Sequence, residues 1–341
     1  MTTTEFASGL LRTAITPRAG GGHRWTRSPG ALAPAPFTPV DGELAAVLAG
    51  LAPEGGARLV PGRPVAGRQE RTYDVTGSES LAGCLLRDGA HAGLEPAVRA
   101  LGRALAALHT VTPPAGGARL ATVSRGRVRL ERWLAGDAPQ LWAAQAGALL
   151  KDRLGPGRWA TLRAWSAPSY AEDAENAENA ENAKDTAGGG PEPLVVSHGA
   201  PGLGSLVVDP ASGRAELLVG EDLCLGPWQR DLGWALGELV ELSWQLGGDP
   251  RRWQGLSDAL QEGYGRELST TWHRHAAVRV ALHLHDYIAY IGWHPAEFDR
   301  FTAFLTFLID SAPAPTLEDT HVAAAPALTP GLSVPAGVEH R

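Results

Sequence analysis

Cysteine is nearly absent from this chain of 341 residues: Cys84 and Cys224 are the only two, far apart in sequence. Two thiols exclude a disulfide framework and a cysteine-rich zinc site by count. Lysine is as scarce, with Lys151 and Lys184 leaving 28 of the 30 positive side chains as arginine. No apolar run reaches the roughly 20 residues that a membrane span needs. The start, Met1-Thr2-Thr3-Thr4-Glu5-Phe6, lacks a basic segment followed by an apolar one, so no signal peptide is expected. A formal net charge of −7 argues against a nucleic-acid groove. These absences lead to the expectation of a soluble cytoplasmic protein with neither a nucleic-acid nor a membrane partner.

What is present is ordinary for a globular chain: 44% hydrophobic and 20% charged residues, at a length that suggests about two lobes. Residues 1–40 are dense in glycine and proline. Gly20-Gly21-Gly22 and Pro29, Pro34, Pro36 and Pro39 leave room for one strand, at Leu10–Ile15. A short helix follows at Asp41–Leu51 with Asp41 as N-cap, then strand-like pieces at Arg58–Val60 and Arg71–Val75. Val98, Leu101, Leu105 and Leu108 recur on one face of a helix over Pro96–His109. Helical periodicity continues from Arg127 to Trp165, broken near Gly155-Pro156-Gly157.

Between Ala171 and Gly190 the triplet Glu-Asn-Ala occurs three times and is followed by Gly-Gly-Gly. So few large apolar side chains cannot offset the entropy of ordering, and a disordered insert is expected. Beyond it come short strands at Pro193–Val196, Leu206–Val208 and Ala215–Val219, the last two joined by a turn at Asp209–Gly213. Helices are expected over Asp231–Leu246, Trp253–Leu268, His275–Tyr290 and Pro295–Leu308, with a disordered tail over 312–341. His273, His275, His283, His285 and Asp286 look metal-like by composition. Positions 283 and 285 face opposite sides of a helix, however, so a core or groove-lining role is favoured.

A helix ending in Leu108-His109, a strand, His198-Gly199, a hairpin and a helix opening with Asp231-Leu232 follow one another in that order. The succession resembles the aminoglycoside phosphotransferase and choline kinase-like enzymes, over roughly residues 70–310. Asp231-Leu232-Gly233-Trp234 is similar to the family's Asp-Leu-Ala-Trp element, and Tyr73–Leu81 to its hinge between lobes. The resemblance implies an α+β, two-lobed protein kinase-like fold. A reduced N-terminal lobe would occupy residues 1–76, and a helical C-terminal lobe residues 77–311 with the insert at 171–190. It also implies Mg2+ with ATP or GTP as cofactors, and backbone groups of Asp74, Val75 and Thr76 facing the nucleobase.

The family's catalytic loop reads His-Gly-Asp, four residues, then Asn. Here it is Ser197-His198-Gly199-Ala200 through Ser205. Ala200 replaces the carboxylate that orients the substrate hydroxyl and cannot take a proton. Ser205 stands in the place of the metal-binding amide, and Gly220 falls where the family keeps a metal carboxylate. Glu221 and Asp222 follow directly and are the candidate metal ligands, with Asp222 also a candidate catalytic group. The N-terminal lobe lacks the phosphate-gripping lysine. Arg12, Arg18, Arg24 and Arg27 lie in that region with nothing in the sequence to select among them, and Gly20–Gly22 could wrap phosphates through backbone amides.

Two functions follow from the resemblance. One is a pseudokinase or binding subunit that holds a peptide or protein partner in bacterial natural-product biosynthesis, with no cofactor. The other is an atypical ATP- or GTP-dependent phosphotransferase that modifies Ser or Thr of a precursor peptide beside a partner lyase, as the kinase-like proteins of class V lanthipeptide systems do. Replacement of the general base alone costs roughly 10²–10⁴-fold in rate, which favours the first.

Overall fold

The computed structural model describes residues 2–112, 120–167, 194–209, 213–266, 268 and 272–311. The expected insert at 171–190 and tail at 312–341 lie outside the described residues, as does the centre of the expected turn at 210–212.

The first 30 residues form three strands where the sequence suggests one: β1 (Thr4–Ala7), β2 (Leu11–Pro17) and β3 (His23–Pro29). Glycine and proline sit at their edges rather than breaking them. Gly21 and Gly22 take φ of 90° and 71° and make the β2–β3 turn. A Cβ on Gly22 would lie 2.5 Å from the Val75 carbonyl oxygen, so only glycine turns there without a clash. Helix α1 (Gly42–Gly50) begins at the expected cap, with Asp41 accepting from Leu44 N at 2.8 Å. Next come β4 (Arg58–Pro61), β5 (Arg63–Pro64) and β6 (Arg71–Val75). Five of these strands make an antiparallel sheet in the order β1-β2-β3-β6-β5.

Strand β4 leaves that sheet and pairs, in parallel, with a hairpin far along the chain. The hairpin is β9 (Leu206–Asp209) and β10 (Arg214–Val219), and the short β7 (Glu79–Ser80) completes a sheet ordered β4-β10-β9-β7. A two-stranded piece joins β8 (Val195–Ser197) to β11 (Cys224–Gly226).

The remainder is helical: α2 (Leu81–Asp88), α3 (Glu95–His109), α4 (Arg125–Leu134), α5 (Leu141–Ser166), α6 (Trp228–Leu246), α7 (Pro250–Tyr264), α8 (Trp272–Tyr290) and α9 (Pro295–Asp310). The predicted stripe of α3, Val98, Leu101, Leu105 and Leu108, is fully buried. Close approach of α3 to α7 depends on glycine, since a Cβ at Gly102 would meet Leu260 O at 2.2 Å. The expected break in α5 falls at Gly155, with φ 72°, before Pro156. A large core runs through the helices. A second, smaller core of Ile15, Trp25, Val60, Tyr73, Val75, Val207 and Leu218 lies between the five-stranded sheet and the hairpin. No helix among the described residues is long and apolar enough to cross a membrane.

Candidate functional site

The loop after β8 is held from below. Asp231, 1% exposed, accepts from the amides of His198 at 2.6 Å and Gly199 at 3.0 Å, and from His109 Nε2 at 3.1 Å. Burial pushes this carboxyl up, but the His109 hydrogen bond and charge and the His198 amide outweigh it and hold it below the usual range. The His198 ring reaches the Leu218 carbonyl at 2.8 Å, which ties the loop to the hairpin. Gly199 takes φ 87°, and a Cβ there would sit 2.0 Å from Asp222 O. The loop turns against residue 222, with Ala200 O accepting from Gly202 N at 2.7 Å.

Of the four N-terminal arginines, Arg27 is the one that reaches the loop after β8. Alternation along β3 turns Trp25 and Arg27 to one buried face. Arg27, 5% exposed, donates to Gly204 O at 2.7 Å, Ser205 Oγ at 3.1 Å and Glu221 Oε1 at 3.3 Å. Tyr73 also donates to Glu221 Oε1, at 2.7 Å; burial and the neighbouring Glu221 charge push the Tyr73 hydroxyl well up, so it stays a donor. Ser205, Glu221, Arg27 and Tyr73 therefore form one buried cluster. The other arginines lie elsewhere: Arg18 and Arg24 bridge to Asp74 at the sheet surface. The Gly20–Gly22 turn caps the β2–β3 end of the sheet, where Gly22 meets Val75 and Thr76, whereas Ser8–Leu10 makes the β1–β2 turn.

Asp222 is engaged separately. Arg125 forks onto it at 2.7 and 3.3 Å and donates to the carbonyls of Ala35 and Pro36 at 3.0 and 2.9 Å. The same guanidinium lies over Phe37, 5.1 Å from its ring centre. Thr38 N donates to Glu221 O, and Arg71 donates to Thr38 O at 2.6 Å. Residues 35–38 thus strap across the Glu221–Asp222 turn. Gly220 has φ 118°, a backbone that a side chain would strain. Among the described residues no cluster of three or more His, Cys, Asp or Glu side chains is placed to hold a metal ion.

Asp74, Val75 and Thr76 lie on β6 and the link that follows it. The Asp74 side chain carries Arg24, Arg18 and Arg63, while its carbonyl accepts from Arg58 at 3.2 Å. Val75 is in the small core. Thr76 donates through N and Oγ1 to Glu216 at 2.5 and 2.8 Å, and its carbonyl accepts from His23 Nδ1 at 3.2 Å. One residue on, Gly77 O accepts from the Trp25 indole N–H at 3.1 Å. Side chains of this chain thus meet the carbonyls of Asp74, Thr76 and Gly77 and the Thr76 amide.

His283 and His285 of α8 are both engaged by side chains of this chain. His285 donates to Asp286 at 2.8 Å beside Arg129 and packs on Trp133, whereas His283 faces Glu241 of α6. They point to different neighbours, as their spacing requires.

Trp25, Arg27, Arg71, Arg125 and Glu216 were not singled out by the sequence for these roles. For Trp25 and Arg27 a signal existed, the two-residue spacing in His23-Arg24-Trp25-Thr26-Arg27, which is strand-like once the glycine run is read as a turn. For Arg125 and Glu216 there was none, because their partners lie 97 and 140 residues away.

No protein-family model matches the chain, and no curated protein matches it in sequence. Solved structures do resemble it. An amicoumacin kinase, solved in complex with AMP-PNP and Ca2+, is 11% identical with a TM-score of 0.50, over 92% of this chain and 89% of that one. A choline/ethanolamine kinase family protein from Mesorhizobium loti is 16% identical with a TM-score of 0.48, over 95% and 92%. An aminoglycoside phosphotransferase from Streptomyces rimosus is 16% identical with a TM-score of 0.45, over 82% and 92%. At such identities the likeness is one of fold: this chain has the α+β, two-lobed kinase-like fold, with a sheet-rich N-terminal part and a mostly helical C-terminal part.

Proposed function

We propose that this protein is a binding subunit on a kinase-like scaffold rather than a phosphotransferase. One observation carries the reading: the Trp25 indole donates to the hinge carbonyl of Gly77 while packing with Val207 and Leu218 of the hairpin. A nucleobase needs both of those features, a hinge hydrogen bond and an apolar sandwich, and here a side chain 4% exposed already has them. The neighbouring hinge groups of Thr76 are taken by Glu216 and His23. Opening the slot means expelling a tryptophan, and burying so large a side chain stabilises by roughly 3–5 kcal/mol.

The chemistry at the loop agrees. Ala200 offers no proton acceptor, Ser205 and Glu221 are tied to Arg27, and Asp222 is tied to Arg125. Freeing either carboxylate for Mg2+ would leave an arginine without its partner, at a cost of about 3–5 kcal/mol for the buried Arg27 pair. These residues do not fit a nucleotide–metal complex. The partner would be a peptide or protein, and natural-product peptide modification is the setting the resemblance suggests.

Thermal melting with ATP or GTP plus Mg2+ tests the proposal. We expect no shift at millimolar nucleotide, with or without a candidate peptide. A saturable rise following RT ln(1 + [L]/Kd), together with label transferred from [γ-32P]ATP to a hydroxyl, would return the protein to the active phosphotransferases.

A further inference from the structure

The five-stranded sheet ends differently at its two edges. At one edge β5 is two residues long and carries Pro64, which has no amide to offer, so further pairing stops there. At the other lies β1, Thr4-Glu5-Phe6-Ala7, without proline, exposed along its whole length and paired, among the described residues, with β2 alone. The turn from β1 to β2 closes with Ser8 N donating to Leu11 O at 2.9 Å. Hydrogen-bonded pairs alternate in an antiparallel ladder, so Phe6–Thr13 and Thr4–Ile15 are the next such pairs. The amides and carbonyls of Glu5 and Ala7 therefore point away from β2, into the open edge.

Register also sorts the side chains. Phe6 stands beside Thr13, on the sheet face that carries Trp25 and Arg27, yet it lies outside the small core and is 60% exposed. Glu5 and Ala7 stand on the opposite face, beside Ala14 and Arg12. Arg12 is exposed and has neither a hydrogen bond nor an ion pair among the described residues; Glu5 of its own chain lies diagonal to it without bridging. The edge thus presents an acid, an aromatic ring and a small residue in succession, with an unpaired guanidinium one strand behind the small one. Three registers bring the outward groups of two such strands together, with Glu5 facing Glu5, Ala7 facing Ala7, or Phe6 facing Phe6. The first opposes like charges, and the second leaves each Phe6 opposite the turn at Ser8. In the third, Glu5 of each copy faces Ala7 of the other, and both are hydrogen-bonding positions. Phe6 then meets Phe6 at a non-hydrogen-bonded position, where Cα atoms are about 4.5 Å apart and side chains approach most closely. Strands about 4.8 Å apart put Glu5 of one copy about 10 Å in Cα separation from Arg12 of the other, across Ala7 and within the joint reach of the two side chains.

We propose that β1 is a docking edge for a second copy of this chain, the two strands pairing antiparallel about Phe6 into one ten-stranded sheet. The contact is held by the backbone groups of Glu5 and Ala7, by Phe6 against Phe6, and by a Glu5–Arg12 ion pair on each side. Its two-fold symmetry closes the assembly at a dimer, because the β5 edge does not extend it. So short a ladder buries less than the roughly 1,600 Å2 of a standard interface, so the dimer is weak and forms at micromolar concentrations and above. The edge is independent of the reading of the cleft and stands whether or not nucleotide binds between the lobes.

Sedimentation velocity of the full-length protein across micromolar concentrations, with thermal melting of each variant, tests the edge. The expected result is a concentration-dependent equilibrium between monomer and dimer. Glu5→Arg sets arginine against arginine, and Phe6→Lys sets two ammonium groups face to face. Each should weaken association by at least about tenfold and leave the melting temperature of dilute protein unchanged, since both side chains are exposed. Arg12→Glu should weaken it alike. Combined with Glu5→Arg it exchanges the two charges and should restore association to within about threefold of wild type. A protein that stays monomeric throughout overturns the proposal. So does a dimer untouched by Glu5→Arg and Phe6→Lys, or a double variant that associates no better than its parents. None of these outcomes involves nucleotide, so failure here leaves the reading of the cleft intact, and failure there leaves the edge.

Discussion

Truncating Trp25 is the sharpest perturbation of the contact between the five-stranded sheet and the hairpin. The indole is 4% exposed, packs among Ile15, Tyr73, Val75, Val207 and Leu218, and donates at 3.1 Å to Gly77 O. Trp25→Ala removes that volume from a small core that cannot easily collapse, because a β-strand from each side fixes its walls. Such truncations cost about 3–5 kcal/mol, and at roughly 2–4 °C per kcal/mol the melting temperature should fall by about 6–20 °C. Trp25→Phe separates the two contributions: it keeps most of the apolar area but leaves the Gly77 carbonyl without its donor, at about 1–3 kcal/mol. The cavity of Trp25→Ala is flat and has an acceptor at its end, so millimolar indole should restore part of the lost stability. Differential scanning calorimetry of the three proteins, with and without indole, reads all of this. If Trp25→Ala melts within about 2 °C of wild type and indole has no effect, the indole does not fill a structural slot and the case against nucleotide binding loses its main support.

Three further expectations concern buried groups. Asp231 joins the loop amides to His109, so Asp231→Asn, which swaps an acceptor for a donor facing two N–H groups, should destabilise by about 3–5 kcal/mol in urea melts. Asp231 and Asp286 both titrate below the usual carboxylate range when folded, despite the burial that raises each, the first through His109 and the second through Arg129. Their contribution is therefore complete above the unfolded value near 4 and is lost as pH falls through the lower folded values. Urea midpoints should be flat from about pH 7 to 5 and drop steeply below 4, and a midpoint that rises on acidification would contradict this. Burial, reinforced by Asp231, pushes the Cys224 thiol up to about 12, so a thiol reagent at pH 8 should label it only after unfolding; fast labelling of native Cys224 would show that its pocket opens.

Local patterns in the chain foretold much of this molecule. Apolar spacing at Val98, Leu101, Leu105 and Leu108 described α3 to within a residue, because a helix that buries one face must repeat every 3.6 residues whatever it packs against. Asp41 marked its helix start, and Gly155-Pro156 marked the bend in α5, since caps and kinks are satisfied within a few residues. The order of His198-Gly199, hairpin and Asp231 was enough to reach the fold. The same local logic failed in residues 1–40, where three glycines looked like an obstacle to strands and are instead the turn that joins two of them. It also left the strap over Glu221 and Asp222 invisible, because Arg125 meets Pro36 and Asp222 only after folding.

The sequence by itself settled which chemical groups are missing: no carboxylate at 200, no lysine before 151, no acid at 220. Identity at a position needs no structure to be read. What only the tertiary structure decided is what stands in the vacated places. Trp25 lies at the Gly77 carbonyl, Arg27 against Ser205 and Glu221, and Arg125 on Asp222. Those pairings join residues far apart in the chain, and hydrogen bonds and charges act over a few ångströms of space rather than along the sequence. Only packing the sheet, the hairpin and the helices together brings these side chains within reach of one another.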